Sequence, residues 1–215
     1  MIKNFTITLI GIAFVCNGVF AQTQPEKKSS AKPKSAIPAK VPAKLEAGTK
    51  EEQNMKTWMT YMTPGAMHEM LAKCNGDWSE EITFWMSPGA APTVNSAKCT
   101  NTMIMGNRYQ ESKHTSTMNG MAFEGTGTLG YDNAKKVFVS TWIDNMGTGI
   151  MFLEGKYDEP KKTVHFTGKA VDPKTGKDMH VREEFKIIDD NHQSLEMYMT
   201  ENAKEYKSME IKFSR

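Results

Sequence analysis

The chain has 215 residues, with 27 basic and 25 acidic side chains, and 39% of its residues are hydrophobic. This length is enough for one domain or at most two small ones. The mean hydropathy of −0.54 and the lack of any apolar run of about 18 residues exclude a polytopic membrane protein. The formal charge is +1 over residues 1–21, +5 over 22–50 and −4 over the remaining 165. An acidic region without a basic cluster argues against nucleic-acid binding.

Residues 1–21 have the pattern of an export signal. A short segment containing Lys3 precedes an apolar stretch from Phe5 to Val15, which is too short to span a bilayer. The small-x-small pattern ending at Ala21 predicts cleavage before Gln22. Lipid attachment at Cys16 is disfavoured because the residue before it, Val15, is not small. We therefore expect a periplasmic or secreted protein without stable membrane insertion.

Residues 22–50 are predicted to form a disordered linker. The segment holds seven Lys, four Pro and no aromatic residue. Such a composition cannot bury enough apolar surface to offset the entropy of ordering. The linker is interpreted as a solvated spacer, because its Lys residues are too widely spaced to bind a surface strongly. Contact with an anionic envelope surface is the functional alternative.

Residues 51–215 are predicted to form the folded domain, which begins with two short helices. Apolar residues at helical spacing predict the first helix up to Met62, and Thr63-Pro64 ends it. The same spacing predicts a second helix that ends at Asn75-Gly76. The predicted apolar faces consist of Met55, Trp58, Met59 and Met62 in the first helix, and Met67, Met70, Leu71 and Cys74 in the second.

From Asp77 onward the apolar period becomes two, which indicates β-strands. Turn signals, of which Asn119-Gly120 is the strongest, divide the remainder into about ten strands of roughly ten residues. No connection is long enough for a crossover helix, so neighbouring strands should be antiparallel. We predict an all-β fold, an antiparallel up-and-down β-barrel, because closure removes the exposed edges of so long a meander. A β-sandwich is the alternative.

Several short motifs are shared with a known family. They are Pro64-Gly65, His68, Leu71, Gly76, Trp78, Gly120, Phe123-Glu124-Gly125, Gly130-Tyr131-Asp132, Trp142-Ile143-Asp144 and Met209-Glu210-Ile211. Over residues 55–215 the chain resembles the bacterial family called domain of unknown function 1579. The resemblance implies a lipocalin-like or nitrobindin-like barrel and no established activity. The chain departs from the family in its methionine content and in Cys74 and Cys99.

Two motifs that suggest chemistry are interpreted as structural. Gly125, Gly127 and Gly130 match G-x-G-x-x-G, but no helix follows, so a dinucleotide site is not expected. Glycines two apart on a strand instead allow a neighbour to pack closely. Cys74 and Cys99 are expected to be separate thiols. Pairing Cys99 with a position near Glu81 would place it roughly 23 Å from Cys74, too far for a disulfide.

A ligand site is predicted from polar-aromatic and methionine clusters. Trp142 and Asp144 share one face of a strand, and Tyr131 on the preceding strand could reach them across the turn. A structural cap of the hairpin is the alternative. Sixteen of the 17 methionines follow residue 50. Flexible, polarizable methionine suits an adaptable lining, and four occupy positions expected inside strands, namely Met103, Met105, Met197 and Met199.

No cofactor or metal ion is predicted, and two alternatives stay open. Thioethers suit Cu(I), and Met55, Met59 and Met62 would present theirs on one helix face. An interior His114, His165 or His180 could bind haem. The alternating charged residues Arg182, Glu184, Glu196, Glu210 and Lys212 are expected to form a solvated ladder on the outer face.

The function predicted from these features is binding of a small apolar ligand inside an exported barrel. No pairing of a nucleophile with a base is visible in the sequence, which disfavours an enzyme. The alternatives are an envelope structural or interaction module with a filled barrel, and a methionine-rich copper binder. The sequence gives no indication of the oligomeric state.

Overall fold

The computed structural model describes residues 48–118, 120–201 and 203–215, except for the side chain of Glu201. The predicted export signal, its cleavage site at Ala21 and Gln22, nearly all of the predicted linker and Asn119 of the hairpin signal lie outside the described residues. Within the described part of the chain, no helix is both long and apolar enough to cross a membrane.

Two helices come first, as predicted. Helix α1 spans Lys50–Met62 and helix α2 spans Ala66–Ala72. Thr49 begins α1 with a capping box, in which the Glu52 amide donates to Thr49 Oγ1 at 3.2 Å and the Thr49 amide donates to Glu52 Oε2 at 2.8 Å. This reciprocal pair satisfies two backbone donors that the first turn would otherwise leave without partners.

Ten antiparallel strands follow and close into a barrel, in which each strand pairs with its neighbours in sequence and β1 pairs with β10. The prediction of an up-and-down barrel is confirmed, and the β-sandwich alternative is wrong. The strands are β1 (Gly76–Phe84), β2 (Thr93–Ile104), β3 (Tyr109–Met118), β4 (Met121–Asp132), β5 (Val137–Asp144), β6 (Met151–Asp158), β7 (Thr163–Val171), β8 (Asp178–Ile187), β9 (His192–Glu201) and β10 (Lys204–Ser214).

Alternate residues of each strand face the barrel interior. On β8, Val181, Glu183 and Phe185 are buried while Arg182 and Glu184 lie on the outer face. The outer face carries the predicted ladder of mixed charge, in which Arg182 pairs with Glu205, Lys207 with Glu196 and Glu210, and Lys212 with Glu81. Ion pairs at a surface contribute little stability, so this ladder is not a main source of the stability of the barrel.

Helix α2 closes one end of the barrel. Leu71 is fully buried in a cluster with Phe138, Leu153 and Val164, near the turns that join β4 to β5 and β6 to β7. Side chains of the barrel wall form hydrogen bonds with the end of α2 and the residues after it. Gln110 Nε2 donates to the Leu71 carbonyl at 2.7 Å, and Trp78 Nε1 donates to the Cys74 carbonyl at 2.9 Å. The Leu71 carbonyl also accepts from the Cys74 amide, and the Cys74 carbonyl also accepts from Asn101 Nδ2, so several bonds hold this segment in place.

Helix α1 differs from the amphipathic helix that the sequence predicts. Its apolar face, formed by Met55, Trp58, Met59 and Met62, is exposed, and α1 has no buried residue. Among the described residues, two side chains hold its carboxyl end: Asn133 Nδ2 donates to the carbonyl of Thr63, the residue after α1, at 2.8 Å, and Arg108 Nη2 donates to the Met62 carbonyl at 2.7 Å. Helical periodicity therefore predicted the helix correctly but not the burial of its apolar face.

The register of the first hairpin differs from the sequence-based expectation by three residues. Cys99 pairs with Trp78, and Glu81 pairs with Ser96. The connection runs from residue 85 to residue 92, and its internal turn shifts where pairing begins. Cys74 and Cys99 are both buried free thiols, as expected. The expected register nevertheless overestimated their separation along the strand, because Cys99 pairs with Trp78 and not with a position near Glu81.

Candidate functional site

A cavity of about 470 Å³ occupies the barrel interior. Inward residues of every strand contribute to its wall. The mouth of the cavity lies at the strand ends opposite α2 and is lined by Phe84, Met118, Phe123, Met151, Met199 and Tyr206. Met86, which follows β1 and is 81% exposed, also lines it, so the cavity reaches solvent there. Pockets of this size with mostly apolar walls are typical of small-molecule sites.

A polar cluster of three residues is embedded in this apolar wall. Cys99 on β2 pairs directly with His114 on β3, and Glu80 on β1 lies opposite Ala97, two residues from Cys99. His114 Nδ1 is 2.9 Å from Glu80 Oε1, and His114 Nε2 is 3.6 Å from Cys99 Sγ. All three residues line the cavity.

The cluster contains a buried carboxyl group, and one of its oxygen atoms has no hydrogen-bond partner among the described residues. The side chain of Glu80 has no exposed surface, and its Oε2 atom makes no hydrogen bond within the described chain. Burial raises the pKa of the Cys99 thiol, and the nearby carboxylates of Glu80 and Asp77 raise it further. In the absence of a cation, Cys99 is therefore an uncharged thiol that donates to Asn101 Oδ1 at 3.2 Å.

Trp142 covers the cluster from β5. Its ring meets the edge of the His114 ring at a centroid distance of 5.0 Å and stacks on Phe123 at 6.5 Å. Trp142 Nε1 donates to Asp144 Oδ2 at 2.8 Å, so the polar end of the indole is satisfied while its apolar face borders the cavity.

Gly125 on β4 makes room for this tryptophan. A Cβ atom at Gly125 would lie 2.4 Å from the Trp142 ring, which is too close for any side chain. The sequence interpretation of the G-x-G-x-x-G match, in which glycines allow a neighbour to pack closely, agrees with this contact.

Gly125→Ala is expected to displace the Trp142 ring and to lower the free energy of unfolding by about 1–3 kcal/mol, because the Trp142 and Phe123 rings leave no space for a methyl group. Urea denaturation followed by tryptophan fluorescence measures both effects. Gly149→Ala is the matched control, since nothing lies within 4 Å of a Cβ atom there. Equal changes in the two variants would contradict the packing argument.

Glu183 is a second acid inside the barrel. It is buried, and its register partners, Phe166 on β7 and Met197 on β9, are both uncharged. Desolvation by burial raises the pKa of Glu183 from its ordinary value of 4.5 to about 7. The carboxyl group is therefore mostly protonated in the folded protein at mildly acidic pH.

Four of the seven residues predicted to bind a ligand line the cavity: Trp142, Asp144, Met197 and Met199. Tyr131 does not join them. It pairs with Phe138, whereas Trp142 pairs with Gly127, which lies four residues and about 13 Å before Tyr131 on β4. Tyr131 instead lines a separate cavity of about 400 Å³ between the α1–α2 connection and strands β3, β4 and β5.

The other two predicted methionines lie outside the cavity. Met103 packs against the core cluster at the closed end of the barrel. Met105 is 70% exposed, because β2 ends at Ile104 and the backbone turns there with a positive φ at Met105. The sequence interpretation extended the alternation of inward and outward residues on β2 by one residue beyond the end of the strand.

The histidines also separate by position. Of the three named as interior candidates, His114 faces the cavity. His165 lies on the outer face near Asp158 and Glu184, with nitrogen–oxygen distances of 3.9 and 3.7 Å, and His180 is exposed.

The sequence interpretation missed Glu80, Cys99 and Glu183 as cavity residues. A signal for the two acids was present: Glu80 stands between Trp78 and Ile82, and Glu183 between Val181 and Phe185, so each occupies an inward position of a strand. A charged residue on the apolar face of a strand needs a reason. Cys99 lacked such a signal, because its partners are 15 and 19 residues away in the chain and only the register brings them together.

Comparison with known proteins supports the fold and assigns the family. No curated protein matches the chain. The crystal structure of Rv2717c from M. tuberculosis is similar, with a TM-score of 0.53 and 13% sequence identity, over 71% of this chain and 99% of that one. At this identity the likeness concerns the fold alone. Residues 63–215 match the family described as "Protein of unknown function (DUF1579)", and the chain therefore belongs to that family.

Proposed function

We propose that this protein is an exported binding protein for a small, neutral, largely apolar molecule, which it holds inside the barrel. The observation that carries the proposal is the solvent-connected cavity of about 470 Å³. Export is supported by the signal pattern of residues 1–21, and the Lys-containing residues 22–50 would tether the barrel in the envelope.

The lining determines the character of the ligand. Methionine and aromatic side chains form most of the mouth, and a methionine-rich surface adapts to ligands of different shape. Three acids line the cavity, Glu80, Asp144 and Glu183, while the described residues that line it include no Lys or Arg. An anionic ligand would meet uncompensated negative charge in a medium of low dielectric constant, so a neutral ligand is favoured.

Decanol and decanoate test this preference, because they share a chain length and differ in charge. The wild-type protein is expected to bind decanol more tightly than decanoate by at least about tenfold at a pH where Glu183 is ionised. Calorimetric titration measures both affinities. Tighter binding of decanoate, or no binding of either compound, would contradict the proposal.

A cavity-filling variant locates the site. Met199 lines the cavity near its mouth, so Met199→Trp is expected to weaken decanol binding by about tenfold or more. Met55→Trp is the matched control, because Met55 is exposed on α1 and does not line the cavity. The site would lie elsewhere if the two variants bound decanol alike.

Native mass spectrometry of the exported protein then shows whether a molecule is retained from the cell.

One observation favours a second candidate function, that of an interaction module. The apolar face of α1 presents Trp58 and Met59 to solvent, although such faces are normally covered. In this alternative α1 docks against a partner and the barrel serves as a scaffold.

A further inference from the structure

The cluster of Glu80, Cys99 and His114 combines three types of metal-binding donor in one place. One oxygen, one sulfur and one nitrogen atom lie within 4.8 Å of one another. Each donor comes from a different strand of the closed sheet, β1, β2 and β3, so the barrel holds their relative positions. The Cys99 and His114 side chains are direct cross-strand neighbours, which fixes their separation.

The unpartnered oxygen of Glu80 is an independent sign that something is bound there. Glu80 Oε2 is buried and has no hydrogen-bond donor among the described residues, although buried carboxylate oxygens are nearly always paired. No Lys or Arg of the described chain lines the cavity to balance the charge. A bound cation would supply the partner that the protein itself does not.

We propose that Glu80, Cys99 and His114 bind a divalent transition-metal ion of the zinc class. Carboxylate, thiolate and imidazole are the donors that zinc takes in proteins. A thiolate excludes magnesium and calcium, which require oxygen ligands. A thiolate and a carboxylate together carry two negative charges, so a divalent ion leaves the buried site neutral.

The ion changes the protonation of the site. Metal binding displaces the thiol proton of Cys99, which is released to solvent, and the sulfur binds as thiolate. His114 binds as a neutral imidazole and Glu80 as a carboxylate, so all three residues are ligands of the ion.

The site opens toward the cavity. All three residues line it, and three protein ligands leave a fourth tetrahedral position for a molecule in the cavity. This inference does not depend on the proposed apolar ligand, because the metal ion can bind to an empty barrel. The decanol and decanoate titrations are made on chelator-treated protein, so that a bound ion does not change the charge of the cavity and the two proposals fail independently.

Cobalt titration of the full exported chain, produced without a histidine tag and treated with chelator, tests the site. Co²⁺ at a tetrahedral site with a thiolate ligand gives visible d–d bands and a sulfur-to-cobalt charge-transfer band in the near ultraviolet. We expect both to saturate at one equivalent and to be abolished by Zn²⁺. Absence of the charge-transfer band in the folded wild-type protein would overturn the proposal.

Variants distinguish this cluster from the other thiol. Cys99→Ser is expected to remove the charge-transfer band, whereas Cys74→Ser should leave it unchanged, since Cys74 is equally buried but its Sγ donates to the Met70 carbonyl. Glu80→Gln keeps the size of the side chain and an acceptor for His114, so it should fold and weaken Co²⁺ binding by about 10- to 100-fold. Unchanged cobalt affinity in Glu80→Gln, or loss of the band in Cys74→Ser, contradicts the assignment.

Discussion

Replacing Glu183 by Gln is expected to remove roughly 3 kcal/mol of pH dependence from the free energy of unfolding between about pH 4.5 and about pH 7. The folded protein holds the Glu183 proton up to about pH 7, while the unfolded chain releases it near the ordinary value of 4.5. Between these values the folded state binds more protons than the unfolded state, so wild-type stability falls as the pH rises. Above about pH 7 this contribution is lost.

Urea denaturation at several pH values gives the free energy of unfolding of wild type and variant. The difference between the two removes the contribution of the other titrating groups. The stabilisation of Glu183→Gln relative to wild type should grow as the pH rises and then level off above pH 7. Glu184→Gln is the control, because Glu184 is the next residue and lies on the outer face. If the Glu183→Gln difference does not vary with pH, the carboxyl is not the desolvated acid described above.

Leu71→Ala is expected to lower the free energy of unfolding by about 2–5 kcal/mol. Leu71 has no exposed surface and packs with Phe138, Leu153 and Val164, so truncation leaves a void at the closed end of the barrel. The void would also loosen α2 and the residues that follow it, where the Leu71 and Cys74 carbonyls accept the Gln110 and Trp78 hydrogen bonds. Chemical denaturation with a two-state fit measures the loss.

The control for this experiment is Met59→Ala on α1. Met59 is exposed, so its removal should change the free energy of unfolding by no more than about 0.5 kcal/mol. A loss at Met59 comparable with that at Leu71 would mean that this face of α1 is buried in solution and would contradict its exposure.

Much of the barrel could be predicted from local sequence signals. Turn residues and alternation placed most strands within a residue or two, because each strand has one apolar face and is bounded by its own turn chemistry. Closure followed from the length of the meander. The exceptions have local causes: the loop after β1 shifted the first register, and the turn after Ile104 placed Met105 outside.

The candidate site was harder to predict because it depends on register and on which face is inward. Trp142 and Asp144 are two apart on one strand, so alternation alone could pair them, and Trp142 does donate to Asp144. Predicting the position of Tyr131 required the register between β4 and β5, in which the partner of Trp142 lies four residues away from Tyr131. Glu80, Cys99 and His114 required three strands in correct register at once, which a single sequence does not specify.

Methionine methyl NMR tests the central claim most directly, because the chain carries probes both inside and outside the cavity. Protein labelled at the methionine methyl groups would be titrated with decanol. We predict shifts at cavity methionines, above all Met118, Met151, Met197 and Met199, and none at Met55, Met59 and Met105. No shift at the cavity methionines, or shifts confined to Met55 and Met59 on α1, would contradict a ligand-binding barrel.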